Sequence, residues 1–233
     1  MASALAFVAV LLAAAAAATS PAAVAATTLT IQNLCPHPVW PLVTPTSGQP
    51  ISDNTARLDP NSLISLAFPP TPWSGRVAAR TGCDAAASPP AGCETGASPP
   101  STVAQLSVHG SGDVAAYSVS LVDGFNVPVV VSPQAVGGGQ CPALGCVVDL
   151  NCDCPPGQRF SDGAACRGPP EYFKGRCPLT RTTPGDVEPV PQSCRSPGEL
   201  KVIFCPPTML TAAAAAAAAA AGDMLIRTVV ASS

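Results

Sequence analysis

The residues of this chain with the most chemistry to offer are its 11 cysteines. At that density thiols either close disulfides in an oxidising compartment or gather on a metal. A zinc site would draw on Cys146, Cys152, Cys154 and Cys166, but these lack the repeated Cys-x-x-Cys spacing of structural zinc. A cross-link framework is the expected use, with no metal and no cofactor, and the residues alone leave the pairing open. The most conspicuously placed carboxylate is Asp123, within VSLVDGFNVPVVVSP, residues 119–133. Val119, Leu121 and Asp123 alternate with Ser120 and Val122, which suits a strand, and Asp123-Gly124 then supplies a tight turn. Val129–Val131 reads as the next strand, closed by Ser132-Pro133. His37 lies between prolines and His109 in the turn His-Gly-Ser-Gly-Asp. Both read as solvent-facing loop residues rather than as bases.

The elements that must position these groups are strands. The chain has 233 residues, 28 prolines and only 11% charged residues, which argues for an all-β domain and against long helices. A net charge of −3 with no basic cluster excludes nucleic acid as a natural partner. Thr27–Asn33 alternates like an edge strand, and Leu63–Phe68, Gly75–Cys83, Leu106–Val108, Val114–Val119 and Leu200–Pro206 read as further strands. Trp40 is a core candidate. Residues 140–177 shift to Cys, Pro and Gly with little periodicity, as in a small subdomain held by cross-links. Residues 1–26 carry no charged side chain and end in a run of small residues, the pattern of a secretory signal peptide cut after Ala25 or Ala26. Residues 209–233, with ten consecutive alanines, read as a disordered or processed extension, because ten residues are too few for a stable isolated helix.

VSLVDGFNVP resembles the central segment of the thaumatin-like (pathogenesis-related group 5) proteins, and other segments support it. They are Val39-Trp40 after Cys35, Gly75–Cys83 (GRVAARTGC), Asp149-Leu150-Asn151 before Cys154-Pro155, and the terminal LKVIFCP. The resemblance spans Thr27 to Pro207, with Ala78 where the family has tryptophan and Leu106 where it has an aromatic residue. It implies an all-β domain over residues 27–208, a flattened β-sandwich with a shortened disulfide-rich loop subdomain. It also implies the pairs Cys35–Cys205, Cys83–Cys93, Cys141–Cys194, Cys146–Cys177 and Cys154–Cys166, leaving Cys152 unpaired.

The family's cleft, between sandwich and subdomain, takes its acidity from one arginine, one glutamate and three aspartates. The resemblance places these on Arg80, Gln105, Ser118, Asp123 and Asp186, so that an acid is replaced at both Gln105 and Ser118. Phe125 is a further cleft candidate. Glycoside hydrolysis needs a general acid and a second carboxylate at a set separation, and an amide cannot donate and recover a proton at neutral pH. The implied function is therefore a monomeric plant defence protein, secreted to the apoplast and binding cell-wall polysaccharide such as β-1,3-glucan or a microbial surface in an antifungal role. A weak endo-β-1,3-glucanase, an inhibitor of a foreign xylanase or α-amylase, and a copy without activity are the alternatives. No catalytic residue is assigned.

Overall fold

The computed structural model describes residues 27–135, 141–187 and 192–207. The signal peptide expected at 1–26 and the extension expected at 209–233 lie outside the described residues. The strands in chain order are β1 Thr28–Asn33, β2 Trp40–Ser47, β3 Leu63–Ala67, β4 Trp73–Arg80, β5 Val103–Val108 and β6 Val114–Ser120. They continue with β7 Val129–Ala135, β8 Leu144–Cys146, β9 Arg159–Phe160, β10 Ala165–Cys166, β11 Ser193–Arg195 and β12 Pro197–Phe204, with a helix α1 at Pro170–Arg176. One five-stranded sheet has the order β3-β1-β12-β7-β8 and the other β11-β6-β5-β4-β2, with β9 and β10 forming a separate pair.

The core lies between the two larger sheets because each strand alternates apolar and polar residues, which puts one set on each face. Leu29, Ile31, Val129, Val131, Leu200 and Val202 from the first sheet meet Val77, Ala79, Ala104, Leu106, Val119 and Trp73 from the second. The intervening residues of β4, β5 and β6 therefore face outward, and among them are Arg76, Gln105 and Ser118. That outward face carries the site described below. Ala78 shares it, so a tryptophan lost from that position is lost from the outer face and not from the inter-sheet core. Leu106 points the other way, into the core, at 3% exposure.

Three local expectations are corrected. β1 is interior: it runs parallel to β12 on one side and antiparallel to β3 on the other. Its polar face is covered as well, since Thr30 is buried and its hydroxyl meets that of Ser65 at 3.3 Å. β7 does not close at Ser132-Pro133 but runs to Ala135, with Pro133 opposite Leu200. Its other neighbour, β8, pairs only with Val129–Val131, so the missing N–H of Pro133 interrupts no ladder on that side. His109, in the β5–β6 turn, is not solvent-facing: its side chain is 6% exposed and its Nδ1 lies 3.2 Å from Asp113 Oδ1. It adopts φ 55°, which turns the ring inward.

The shortened subdomain has a small core of its own, in which Leu121, Phe125, Leu150 and Phe173 pack among Cys146, Cys154, Cys166 and Cys177. Disulfides join Cys35–Cys205, Cys83–Cys93, Cys141–Cys194, Cys146–Cys177 and Cys154–Cys166. Cys152 is an exposed thiol. Three members of the hypothetical zinc set are thus committed to sulfur–sulfur bonds. α1 begins with Pro170 in its first turn, has Glu171 beside it and places Lys174 and Arg176 at its end. That distribution suits the helix dipole.

Candidate functional site

Strand register builds the floor of the site. Arg76 on β4 stands opposite Gln105 on β5, and Gln105 stands opposite Ser118 on β6. Because these partners are on adjacent strands and the same face, their side chains form one row. Ser118 Oγ donates to Gln105 Oε1 at 3.1 Å, so the two residues expected at acid positions bond to each other. A second row, Ser74 opposite Ser107, adds hydroxyls that meet at 3.2 Å.

Two connections form the rim. Leu121 to Gly124 closes a turn in which Gly124 N–H donates to Leu121 O at 3.0 Å and Ser101 N–H donates to Asp123 O at 3.1 Å. Only glycine suits position 124: φ is +96°, and a β-carbon there would sit 2.5 Å from Pro100 Cβ and 2.9 Å from Cys166 O. This fixed turn aims Asp123 at Arg76, whose Nη2 donates to Asp123 Oδ2. The pair is part-exposed, 43% and 36% by side chain, and so remains open to a ligand.

The other connection is the segment after the subdomain. Arg181 N–H donates to Val119 O at 2.8 Å and Leu121 N–H to Arg181 O at 2.7 Å, a parallel bridge that extends the sheet by one residue. Asp186 locks the same segment. Its Oδ2 accepts the backbone N–H and the hydroxyl of Thr182, both at 2.8 Å, and lies 3.2 Å from Lys174 Nζ on α1. The Thr182 backbone N–H is the main reason that its carboxyl is held down at about 2, with the Thr182 hydroxyl and the Lys174 ammonium adding to it against the cost of burial.

Between floor and rim lie two adjoining cavities. One of about 480 Å³ is lined by Thr46, Ser74, Arg76, Gln105, Ser107 and Ser118, with Arg181 and Gln192 at its side. The other, of about 310 Å³, is lined by Arg76, Gln105, Ser120, Asp123, Arg181 and Thr183. Arg76, Gln105 and Arg181 line both, so the cavities form a single groove on the outer face. Its wall is the segment that follows the subdomain rather than the subdomain's own residues.

The structure thus brings Gln105, Ser118 and Asp123 together and separates the other three expected residues from them. Arg80 is spent elsewhere: it is buried and donates to the carbonyls of Trp40, Pro41 and Asn54. The arginine beside Asp123 is Arg76, four residues earlier on the same face of the same strand. Phe125 is fully buried in the subdomain core, and its backbone pairs with Cys166, so it cannot touch a ligand. Asp186 holds the rim in place and lines neither cavity. Arg181 was missed by reasoning from the sequence. Its role depends on a bridge to Ser120 across 61 positions, and no local periodicity marks such a contact.

Comparison with known proteins adds a lineage. The model of the Thaumatin family matches residues 33–171. An osmotin-like protein of Solanum lycopersicum is 34% identical over 223 residues, covering 76% of this chain and 88% of that one. Pathogenesis-related protein 5 of Arabidopsis thaliana is 34% identical over 220 residues, covering 78% and 91%. A glucan endo-1,3-beta-glucosidase of Prunus avium is 33% identical over 201 residues, covering 78% and 75%. Among solved structures, a thaumatin-like xylanase inhibitor is 26% identical, covers 76% of this chain and 99% of that one, and superposes with a TM-score of 0.47.

Proposed function

The chain belongs to the thaumatin family, and from that membership we propose that it is a secreted defence protein whose groove binds cell-wall polysaccharide without cleaving it. The observation that carries this reading is the Gln105–Ser118 hydrogen bond on the groove floor, where a hydrolase would need a proton donor. Glycosidases set two carboxyl groups about 5–9.5 Å apart across the scissile bond. Asp123 is the only carboxylate among the described groove-lining residues, and Arg76 holds it in an ion pair. Loss of a general acid costs about 10²–10⁴ in rate. The reaction named for the Prunus avium relative therefore lacks its donor here.

What remains suits recognition. Hydroxyls of Ser74, Ser107 and Thr183, the Gln105 amide and the Arg76–Asp123 pair offer a sugar chain both donors and acceptors along one groove. The disulfides fit an extracellular protein exposed to an oxidising wall space.

The test is co-sedimentation of the oxidised protein with insoluble fungal and plant wall preparations and with insoluble β-1,3-glucan, alongside a reducing-sugar assay on the same tubes. Retention on wall material without sugar release is the expected result. Sugar release overturns the non-catalytic reading, and failure to sediment with any of the preparations overturns the binding reading.

A further inference from the structure

We propose that the sugar chain this groove prefers is an acidic one, a polymer carrying uronate carboxylates, rather than a neutral glucan. The inference rests on the polysaccharide-binding reading and specifies its ligand class.

The first ground is the sign of the charge. The chain as a whole carries −3. Its groove runs the other way, with the guanidinium groups of Arg76 and Arg181 against the single carboxylate of Asp123 among the described lining residues. A locally cationic groove attracts anionic groups at contact distance, where the nearby guanidinium groups outweigh the screened net charge of the protein.

The second ground is what those guanidinium groups are doing. Asp123 occupies Nη2 of Arg76, which leaves donors on a side chain that is 43% exposed. Arg181 has no hydrogen-bond or ion-pair partner for its guanidinium among the described residues, although its backbone is clamped on both sides by Val119 and Leu121. A planar guanidinium with free donors on a fixed main chain matches the two oxygens of a carboxylate.

The third ground is what the floor lacks. Apart from Arg76 and the core-facing Leu106, its described residues are Ser, Thr, Gln, Gly and Ala; Tyr117 touches the groove, yet it is 2% exposed and its hydroxyl is turned to Pro142 O at 2.7 Å. No aromatic face among the described residues is presented for the apolar side of a neutral pyranose, which leaves charge and hydrogen bonding to supply the affinity.

Binding is measured for three soluble probes: polygalacturonate, the same polymer after methyl esterification, and the neutral β-1,3-glucan laminarin. Polygalacturonate should bind about tenfold or more tightly than its ester, the expected worth of a charge-assisted pair. That advantage should shrink as salt rises, because exposed charges are screened within about 8 Å at physiological ionic strength. Arg181→Gln should remove the advantage of the acid over its ester. Arg57→Gln, at an exposed arginine paired with Asp59 away from the groove, should leave that advantage in place. Equal affinity for the acid and its ester overturns the inference while leaving the polysaccharide reading intact. A preference for the acid that survives Arg181→Gln unchanged overturns the assignment to this groove. Binding to none of the three probes, with no retention on wall material, removes the parent reading and this inference with it.

Discussion

Asn126→Ala should be among the most destabilising single substitutions in this chain. The Asn126 side chain accepts from Thr102 N–H at 3.0 Å and donates to Ala79 O at 2.8 Å and to Thr95 Oγ1 at 3.0 Å. It thereby ties the end of β4 and the approach to β5 to the turn that carries Asp123. Its own carbonyl accepts from Asn151 Nδ2 at 2.8 Å, which fastens the subdomain to the same point. Truncation strands the Thr102 N–H and the Ala79 carbonyl, and both residues are fully buried. An orphaned buried polar group costs about 1–3 kcal/mol, so the pair should cost about 2–6 kcal/mol. The Thr95 hydroxyl adds little, because it keeps Thr81 Oγ1 at 2.7 Å. Urea unfolding of the oxidised protein at neutral pH measures the loss as a lower midpoint with an unchanged slope. Asn126→Asp separates the two bonds: it keeps the acceptor for Thr102 but sets carboxylate oxygen against the Ala79 carbonyl, so it should be no milder than alanine. A loss below about 1 kcal/mol for Asn126→Ala would refute the reasoning, since it would mean that water or a shifted backbone satisfies both groups.

Three further outcomes follow from the same geometry. The unmutated protein should release no reducing sugar from soluble β-1,3-glucan, and Gln105→Glu with Ser118→Asp, which places two carboxyl groups in the row that starts at Arg76, is the variant in which release should first become detectable. Asp186 is depressed to about 2, so the stability it adds is full above its unfolded value near 3.8 and is lost as pH falls from there towards 2; the melting temperature of Asp186→Asn should be flatter than wild type across that window. Replacing Cys35 and Cys205 together by Ala opens a loop with a sequence separation of 170, worth up to about 5 kcal/mol in the chain-entropy model, and should lower the urea midpoint more than replacing Cys83 and Cys93, separated by 10.

With the strands placed, period-two alternation puts Val77, Ala104 and Val119 on the core side and Arg76, Gln105 and Ser118 on the other, because a strand's faces are fixed by its own residues. The strand read from the sequence at Leu106–Val108, however, begins after Ala104 and Gln105. What alternation does not contain is position along the strand. Arg76 and Arg80 share a face of β4, and only the register with β5 and the reach of Asp123 tell that Arg76 belongs to the groove. Arg80, at the strand's end, falls instead within reach of the carbonyls of Trp40, Pro41 and Asn54. Phe125 misled for a related reason: a residue next to an exposed turn is buried here because the subdomain packs over it, and that packing comes from cysteines that lie farther along the chain. The interior position of β1 was hidden likewise, since its neighbour β12 lies at the opposite end of the described chain. α1 carried local signals in Pro170, Glu171, Lys174 and Arg176, although seven residues are too few for periodicity to stand out.

In the proposed reading, floor and rim of the groove have separate tasks. The floor belongs to the β-sandwich: Gln105 and Ser118 are outward positions on β5 and β6 and lie outside the inter-sheet core cluster. Gln105 and Ser118 give the floor no carboxyl group for proton transfer, while the strand register keeps their side chains in one row. The rim depends on more. Arg181 is held by main-chain bonds to Val119 and Leu121, the loop beyond it by Asp186, and Asp186 by Lys174 of α1, whose Phe173 is buried in the disulfide-bonded core. Anchoring of that kind cuts the entropy that a long side chain and its loop would otherwise lose when a ligand arrives, a cost of about 0.5–1.5 kcal/mol per immobilised side chain. In the proposed reading the shortened subdomain contributes to recognition without lining the groove, by holding the segment that does.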